Sequence, residues 1–357
     1  MAFNLLPVWS SRRAALSLLT VAAFGVTGVR AVSAKPKPIG HVKPFAQLSP
    51  IPGFPEGIVV EGNLVYVSGP ARFGTAGTGP SVIRVYDRRT HVHRATIAVS
   101  GEDLSQEHAL SNIAVDSEGR LYAASTQLGL IRFTKVGNSY VQSAYGNPLP
   151  SLFGAPPIAN DVVFDKAGNA YVSDSLQATI FRYAPGGGAP QVWFQSPLFA
   201  GGGAIPFGTN GLRLDPARKK LYVAVTTHSD DPTQGTIYRL PLVDEPTAEQ
   251  LEVFHVYDHS EFPDQLAFGS KGELYVSLAL TNQISILRPD GTERTRIESL
   301  PGDAVPLDAP AGIAFDKATK TLLIVNHALL TANPAHFFVL QVSVGDPGNP
   351  LVKPDLP

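Results

Sequence analysis

Six residues at near-regular spacing are the positions where this chain could do chemistry: Glu56, Ser111, Asn160, Asn210, Asp264 and Ala311. Each opens one copy of a short pattern, and successive copies start 55, 49, 50, 54 and 47 residues apart. Glu56, Asn160, Asn210 and Asp264 carry a carboxylate or carboxamide oxygen. If the copies are arranged around one axis, those four oxygens meet. Two carboxylates and two carboxamides are hard donors without a histidine or cysteine among them, a set that favours Ca²⁺ over zinc or copper. The two anionic charges of Glu56 and Asp264 would balance a divalent cation, with water or substrate filling the rest of its shell. The other reading is that one polar residue per copy lines a water-filled channel.

The elements that must position these residues follow from the pattern itself. A short apolar run follows the opening residue, turns over a few polar residues, and leaves on a sequence such as Ala170-Tyr-Val-Ser173 or Leu221-Tyr-Val-Ala224. Each copy therefore reads as a β-hairpin whose first strand, apolar at nearly every position, is buried on both faces. A repeat near 50 residues made of strand after strand is a propeller blade. The expected fold is all-β, a six-bladed β-propeller of four-stranded antiparallel blades. Third strands are expected at segments such as 81–86, 129–133, 179–183 and 236–240. Arg84, Arg132, Arg182 and Arg239 recur there and read as solvated residues whose stems cover a neighbouring blade. The last copy has a third strand at 336–342 but no fourth, so the N-terminal segment 42–48 is expected to supply it and close the ring. Turns such as Asp116-Ser-Glu-Gly119 and Asp165-Lys-Ala-Gly168 lie at one end of such a ring. The opening residues and the longer loops at 69–79, 199–209, 226–235 and 326–334 share the other end, where function resides on a rigid frame.

The ends and the composition narrow the class. Ser11-Arg-Arg13, an uncharged run from Ala14 to Val29, and Ala31-Val-Ser-Ala34 read as an export signal cleaved near Ala34, by the twin-arginine or the general secretory route. The mature domain is then 35–357, exported to a periplasmic or extracellular location. Residues 1–34 hold Arg12, Arg13 and Arg30 and no acid; 28 less 3 basic residues against 30 acidic ones leaves a net charge of −5. That disfavours nucleic acid or an anionic membrane surface as a partner. There is no cysteine, and the single methionine is the first residue, so disulfide and thiol chemistry are absent. Gly186-Gly-Gly188 and Gly201-Gly-Gly203 lack the Lys-Ser/Thr sequel of a phosphate loop, and no nucleophile-elbow pattern is present.

Pro55-Glu-Gly57, Ala159-Asn-Asp161, Thr209-Asn-Gly211 with Lys220-Leu-Tyr-Val-Ala224, and Pro263-Asp264 with Gly272-Glu-Leu-Tyr-Val-Ser277 resemble the gluconolactonase/regucalcin superfamily over residues 50–343. The diisopropyl fluorophosphatase and paraoxonase families are similar in the same way. The resemblance implies a catalytic Ca²⁺, or another divalent ion, held by Glu56, Asn160, Asn210 and Asp264. It implies hydrolysis of a lactone or related ester, less often of a phosphotriester; the chain itself is expected to be a monomer acting on a small molecule. Asp264 is then the expected catalytic base or nucleophile. His327 is the candidate for a general base or substrate hydrogen-bonder, with His228 and His108 behind it. Asp230 and Asp231 share the loop of His228, and Asp161 and Asp174 are candidates to orient the ligating amides. Two alternatives stand beside this reading: a non-catalytic, calcium-stabilised propeller that binds a ligand or protein, and a strictosidine-synthase-like condensing enzyme without metal.

Overall fold

The computed structural model describes residues 39–357 apart from positions 73, 153 and 155. The expected export signal, 1–34, lies outside the described residues. Six four-stranded antiparallel sheets account for the strands. Their inner strands are Ile58–Glu61, Leu110–Val115, Ala159–Phe164, Thr209–Leu214, Pro263–Phe268 and Pro310–Asp316, one per blade. Blades one to five each run outward through four strands consecutive in sequence. In blade six the outermost strand is Lys43–Gln47, paired antiparallel with Phe338–Ser343.

Inner strands buried along their whole length cannot leave one face in water, so each sheet is packed on both sides. Six apolar clusters result, each joining two neighbouring blades. Tyr122, Phe164 and Phe181 hold blade two to blade three, and Leu214, Val223 and Phe194 hold blade three to blade four. The cluster of Ile58, Val65 and Val67 with Leu323, Val325 and Val339 joins the first blade to the last. The Gly312 amide also donates to Glu56 O at 3.0 Å, binding the two inner strands directly.

The recurring Asp turns close one end. In blade three, Asp165 accepts from the Asn169 amide at 2.9 Å and from the Tyr171 hydroxyl at 3.1 Å, and Gly168 takes φ +91°, a conformation that favours glycine. Blade two repeats the arrangement through Asp116 and Tyr122. The C-terminal segment 346–357 runs across this turn end as a strap. Asp346 accepts from the Ser270 amide at 2.8 Å, Asn349 donates to Phe268 O at 2.7 Å, and Pro354 O accepts from the Ser117 amide at 2.9 Å. Leu356 is buried in the cluster between blades two and three.

One reading of the third strands is corrected. Arg84 is buried, not solvated, and its guanidinium donates to Ser49 O at 3.1 Å and to Ile51 O. Its charge is used to fix the backbone that leads from the strand at 43–47 into blade one. Arg132, Arg182 and Arg239 keep partly exposed positions with partners at the rim.

Candidate metal centre

The ladder slips at one place in five of the six inner strands. Register shifts fall between Leu110 and Ile113, Ala159 and Val162, Thr209 and Leu212, Pro263 and Leu266, and Pro310 and Ile313. A bulge frees consecutive residues from strict alternation, so the opening residue and its successor both leave the ladder, as 111/112, 160/161, 210/211, 264/265 and 311/312. The amides released by the slip need acceptors. The serine that ends the Tyr-Val-Ser motif supplies them: Ser173 Oγ accepts from the Asp161 amide at 2.9 Å, and Ser277 Oγ accepts from the Gln265 amide at 2.8 Å.

The first residues of the pairs form the upper layer. Glu56, Asn160, Asn210 and Asp264 are each less than a tenth exposed. Each holds a buried oxygen without a hydrogen-bond partner: Glu56 Oε2, Asn160 Oδ1, Asn210 Oδ1 and Asp264 Oδ1. For Asn210 the cause is explicit. Its Nδ2 donates to Thr226 Oγ1 at 3.0 Å, and that hydroxyl donates to Pro263 O at 2.9 Å, which fixes the amide with its oxygen turned away from them. Thr226 was not singled out in the sequence, because threonine on a loop carries no signal of its own. Ser111, the opening residue of blade two, instead donates its hydroxyl to Ala159 O at 2.9 Å.

The second residues form a layer beneath. Asn112 Nδ2 donates to Asp161 Oδ1 at 2.5 Å and to Gln265 Oε1 at 3.1 Å, while Asp161 Oδ2 accepts from the Leu212 amide at 2.7 Å. The other three second residues are Gly57, Gly211 and Gly312. A Cβ on any of them would run into the backbone of the next inner strand, at Ser111 O, Asp264 O or Glu56 O. Asn112 and Gln265 are functional-layer residues the sequence reading missed. Reading the column one place after each opening residue, Gly-Asn-Asp-Gly-Gln-Gly, would have found them.

The electrostatics follow from this crowding. Burial, then Asp264 and Asp161, raise the pKa of Glu56 well above the ordinary carboxylate range. Burial and then Asp161 push Asp264 up to about 7, against a hydrogen bond from Asn210. Two acids that cannot comfortably ionise side by side, next to oxygens that lack donors, fit a hard cation. Among the described residues, no cluster of three or more His, Cys, Asp and Glu is placed to hold a metal. The four unpartnered oxygens belong to two acids and two amides, a type of set outside that description.

His327 Nδ1 lies 3.4 Å from Glu56 Oε2, and its ring meets Phe54 edge-on at 5.3 Å. Burial lowers its pKa to about 4 against the pull of Asp308, so the imidazole is neutral at pH 7. The remaining candidates have other partners. His228 Nε2 pairs with Thr236 Oγ1 at 2.9 Å, and His108 sits between Gln106 O and Gly79 O at 3.1 Å each. Asp230 accepts from Ser229 and Asp231 from Thr233 on an exposed turn. Asp174 does not turn a ligating amide: it accepts from the Ile158, Leu176 and Gln177 amides and from Gln177 Nε2, so it holds the loop between the second and third strands of blade three. Asp161 belongs to the lower layer and touches Asn112 in place of the amide of Asn160.

No protein-family model matches the chain, and no curated protein matches its sequence. Its fold is similar to that of a calcium-binding regucalcin from Agrobacterium tumefaciens, at 15% identity and a TM-score of 0.63 over 91% of this chain and 99% of that one. It is similar also to a gluconolactonase from Xanthomonas campestris, at 15% identity and 0.55 over 85% and 88%. A streptogramin B lyase matches at 14% and 0.52 over 85% and 97%. At these identities the likeness is one of fold.

Proposed function

We propose that this chain is a divalent-cation-dependent hydrolase of a lactone or related ester, with Ca²⁺ as the ion and Glu56, Asn160, Asn210 and Asp264 as its protein ligands. The observation that carries the reading is the set of four buried oxygens without hydrogen-bond partners, on two acids and two amides that open four blades. The names of two fold neighbours, a calcium-binding regucalcin and a gluconolactonase, support it. A fold alone does not choose a reaction, as the lyase among the neighbours illustrates.

When bound, such an ion polarises an ester carbonyl and lowers the pKa of water. The chain's own residues do the rest. Asp264, a ligand carboxylate already placed beside the substrate, acts as base or nucleophile at the carbonyl. His327, a neutral imidazole beside Glu56, is placed to orient the substrate or to act as general base. Thr226 holds the Asn210 amide in its one useful orientation. Asn112, Asp161 and Gln265 form a rigid floor that keeps the upper layer from collapsing. The substrate is a small molecule, the protein a monomer, and its site of action exported.

The test is hydrolysis of a panel of sugar and aromatic lactones by protein stripped with chelator and then reloaded. Turnover that vanishes with chelator and returns with calcium is the expected result. Calcium binding without turnover on any lactone would make the chain a non-catalytic binding propeller. Activity untouched by chelator would place it with condensing enzymes that use no metal.

A further inference from the structure

A second cavity lies at the other end of the axis. It encloses about 830 Å³, within the ~300–1,000 Å³ typical of small-molecule sites. The inner strands form its sides beyond the polar layers, and strap residues 347–353 form part of its wall. The layer of Asn112, Asp161 and Gln265 comes before the cavity residues along each inner strand, so the two ends of the axis are distinct sites.

About two-thirds of the lining residues are Ala, Val, Leu, Ile, Phe or Pro. The charged minority is unbalanced. Arg88, Arg213, Arg218, Lys317 and Lys353 face Asp215 and Asp316, on a chain whose overall charge is negative. Arg88 is neutralised by Asp316 at 2.8 Å and Lys353 by Glu61. Arg213 differs from these. It stands on the inner strand of blade four, half-buried, and its Nε donates to Leu266 O at 2.7 Å. Asp161, the acid whose charge it feels, uses its oxygens on Asn112 and on the Val162 and Leu212 amides. Among the described residues the two Nη groups have no hydrogen-bond partner. A guanidinium fork with free donors in a mostly apolar chamber calls for an anionic acceptor, and a carboxylate fits it in two-pronged fashion.

We propose that this chamber is a second binding site, for an apolar monocarboxylate of the fatty-acid type: the carboxylate lies against Arg213 and the hydrocarbon lies along Val60, Val163, Phe268 and Phe315 under the strap. The site does not depend on the metal reading, because none of these residues belongs to the upper layer. The strap is the part of the wall least tied into a sheet, so occupancy should steady it.

The full chain titrated calorimetrically in calcium-free buffer with dodecanoate, dodecanol and acetate tests the assignment. One dodecanoate per chain is expected, bound about tenfold more tightly than dodecanol, with no saturable acetate binding. Arg213→Met should abolish the preference for acid over alcohol and leave dodecanol binding in place. Because that change strands Asp161 and can unfold the chain, a measurement on the unaltered protein stands beside it: dodecanoate should slow amide hydrogen exchange in residues 348–353. Absence of saturable dodecanoate binding, equal affinity for acid and alcohol, or binding that leaves exchange in the strap unchanged would each overturn the proposal.

Discussion

A buried acceptor without a donor costs the folded state about 1–3 kcal/mol, and blades one, three, four and five each hold one such oxygen on the residue that opens the inner strand. A cation at the proposed site would gather those separate penalties into one favourable interaction. Asp264→Asn keeps the shape and removes one of two anionic charges, so calcium affinity should fall at least tenfold, by about 1.4 kcal/mol or more, and turnover should be lost. Calorimetry and a lactone assay read the two effects. Titration gives a second test. Asp264, raised to about 7, and Glu56, also raised, bind protons more tightly folded than unfolded. Both contributions are therefore complete below the unfolded carboxylate pKa, near 4; that of Asp264 is lost as pH climbs through about 7, and that of Glu56 is lost as pH climbs through its own raised value. His327, lowered to about 4, has the opposite sign, but only below its unfolded pKa of roughly 6.5. Above about pH 7, where unfolded histidine is mostly neutral, the raised carboxylates dominate the slope, and the melting temperature of chelated protein should drop between about pH 7 and 8. Saturating calcium should flatten the drop, and a rise in its place would contradict the burial of these acids.

The bulge is the element that makes the site. It turns one axial residue per blade into two and builds an upper layer of unpartnered oxygens over a lower layer of mutually bonded side chains. Glycine in half of the lower positions is what lets adjacent inner strands approach. Gly211→Ala would drive a methyl group into Asp264 O, so it should weaken calcium binding without touching any ligand side chain. Ser173→Ala removes the acceptor for the displaced Asp161 amide and should destabilise by about 1–3 kcal/mol in urea unfolding. The upper layer was legible because the four oxygen-bearing residues occupy one column of a visible repeat. The lower layer was not, because a bulge is a local departure from alternation that apolar periodicity does not register. Arg84 was misread for a related reason: four arginines at matching places look equivalent in sequence, and only the path of residues 49–51 beneath one of them changes its role.

At the scale of the molecule, six interblade clusters share the apolar burial evenly around the ring, and the first and last blades are packed like any other pair. Repeat spacing and strand composition were enough to give the architecture and the blade number. The cavity beneath the strap was invisible to that reasoning, since 346–357 is rich in proline and glycine and reads as a dissolving end while in space it spans the turn face. A ligand that joins four blades at their centre stabilises the assembly as a unit. Calcium at about 100 times its Kd should add roughly 2.7 kcal/mol and raise the melting temperature in a single cooperative transition, which calorimetry would record. An unmoved midpoint would exclude an ion on the axis.

The outer strand of blade six matches Pro44 with Leu340, and 340 less 44 puts the partners 296 residues apart in the chain. During translation at ~5–20 residues per second, the earlier of the two is finished about 15–60 s before the later one exists. Over that interval its hydrogen-bonding edge has no partner strand from its own chain. Closing blade six therefore waits for residues far along the chain, and shielding residues 43–47 until the strand Phe338–Ser343 exists should raise the yield of native protein in refolding.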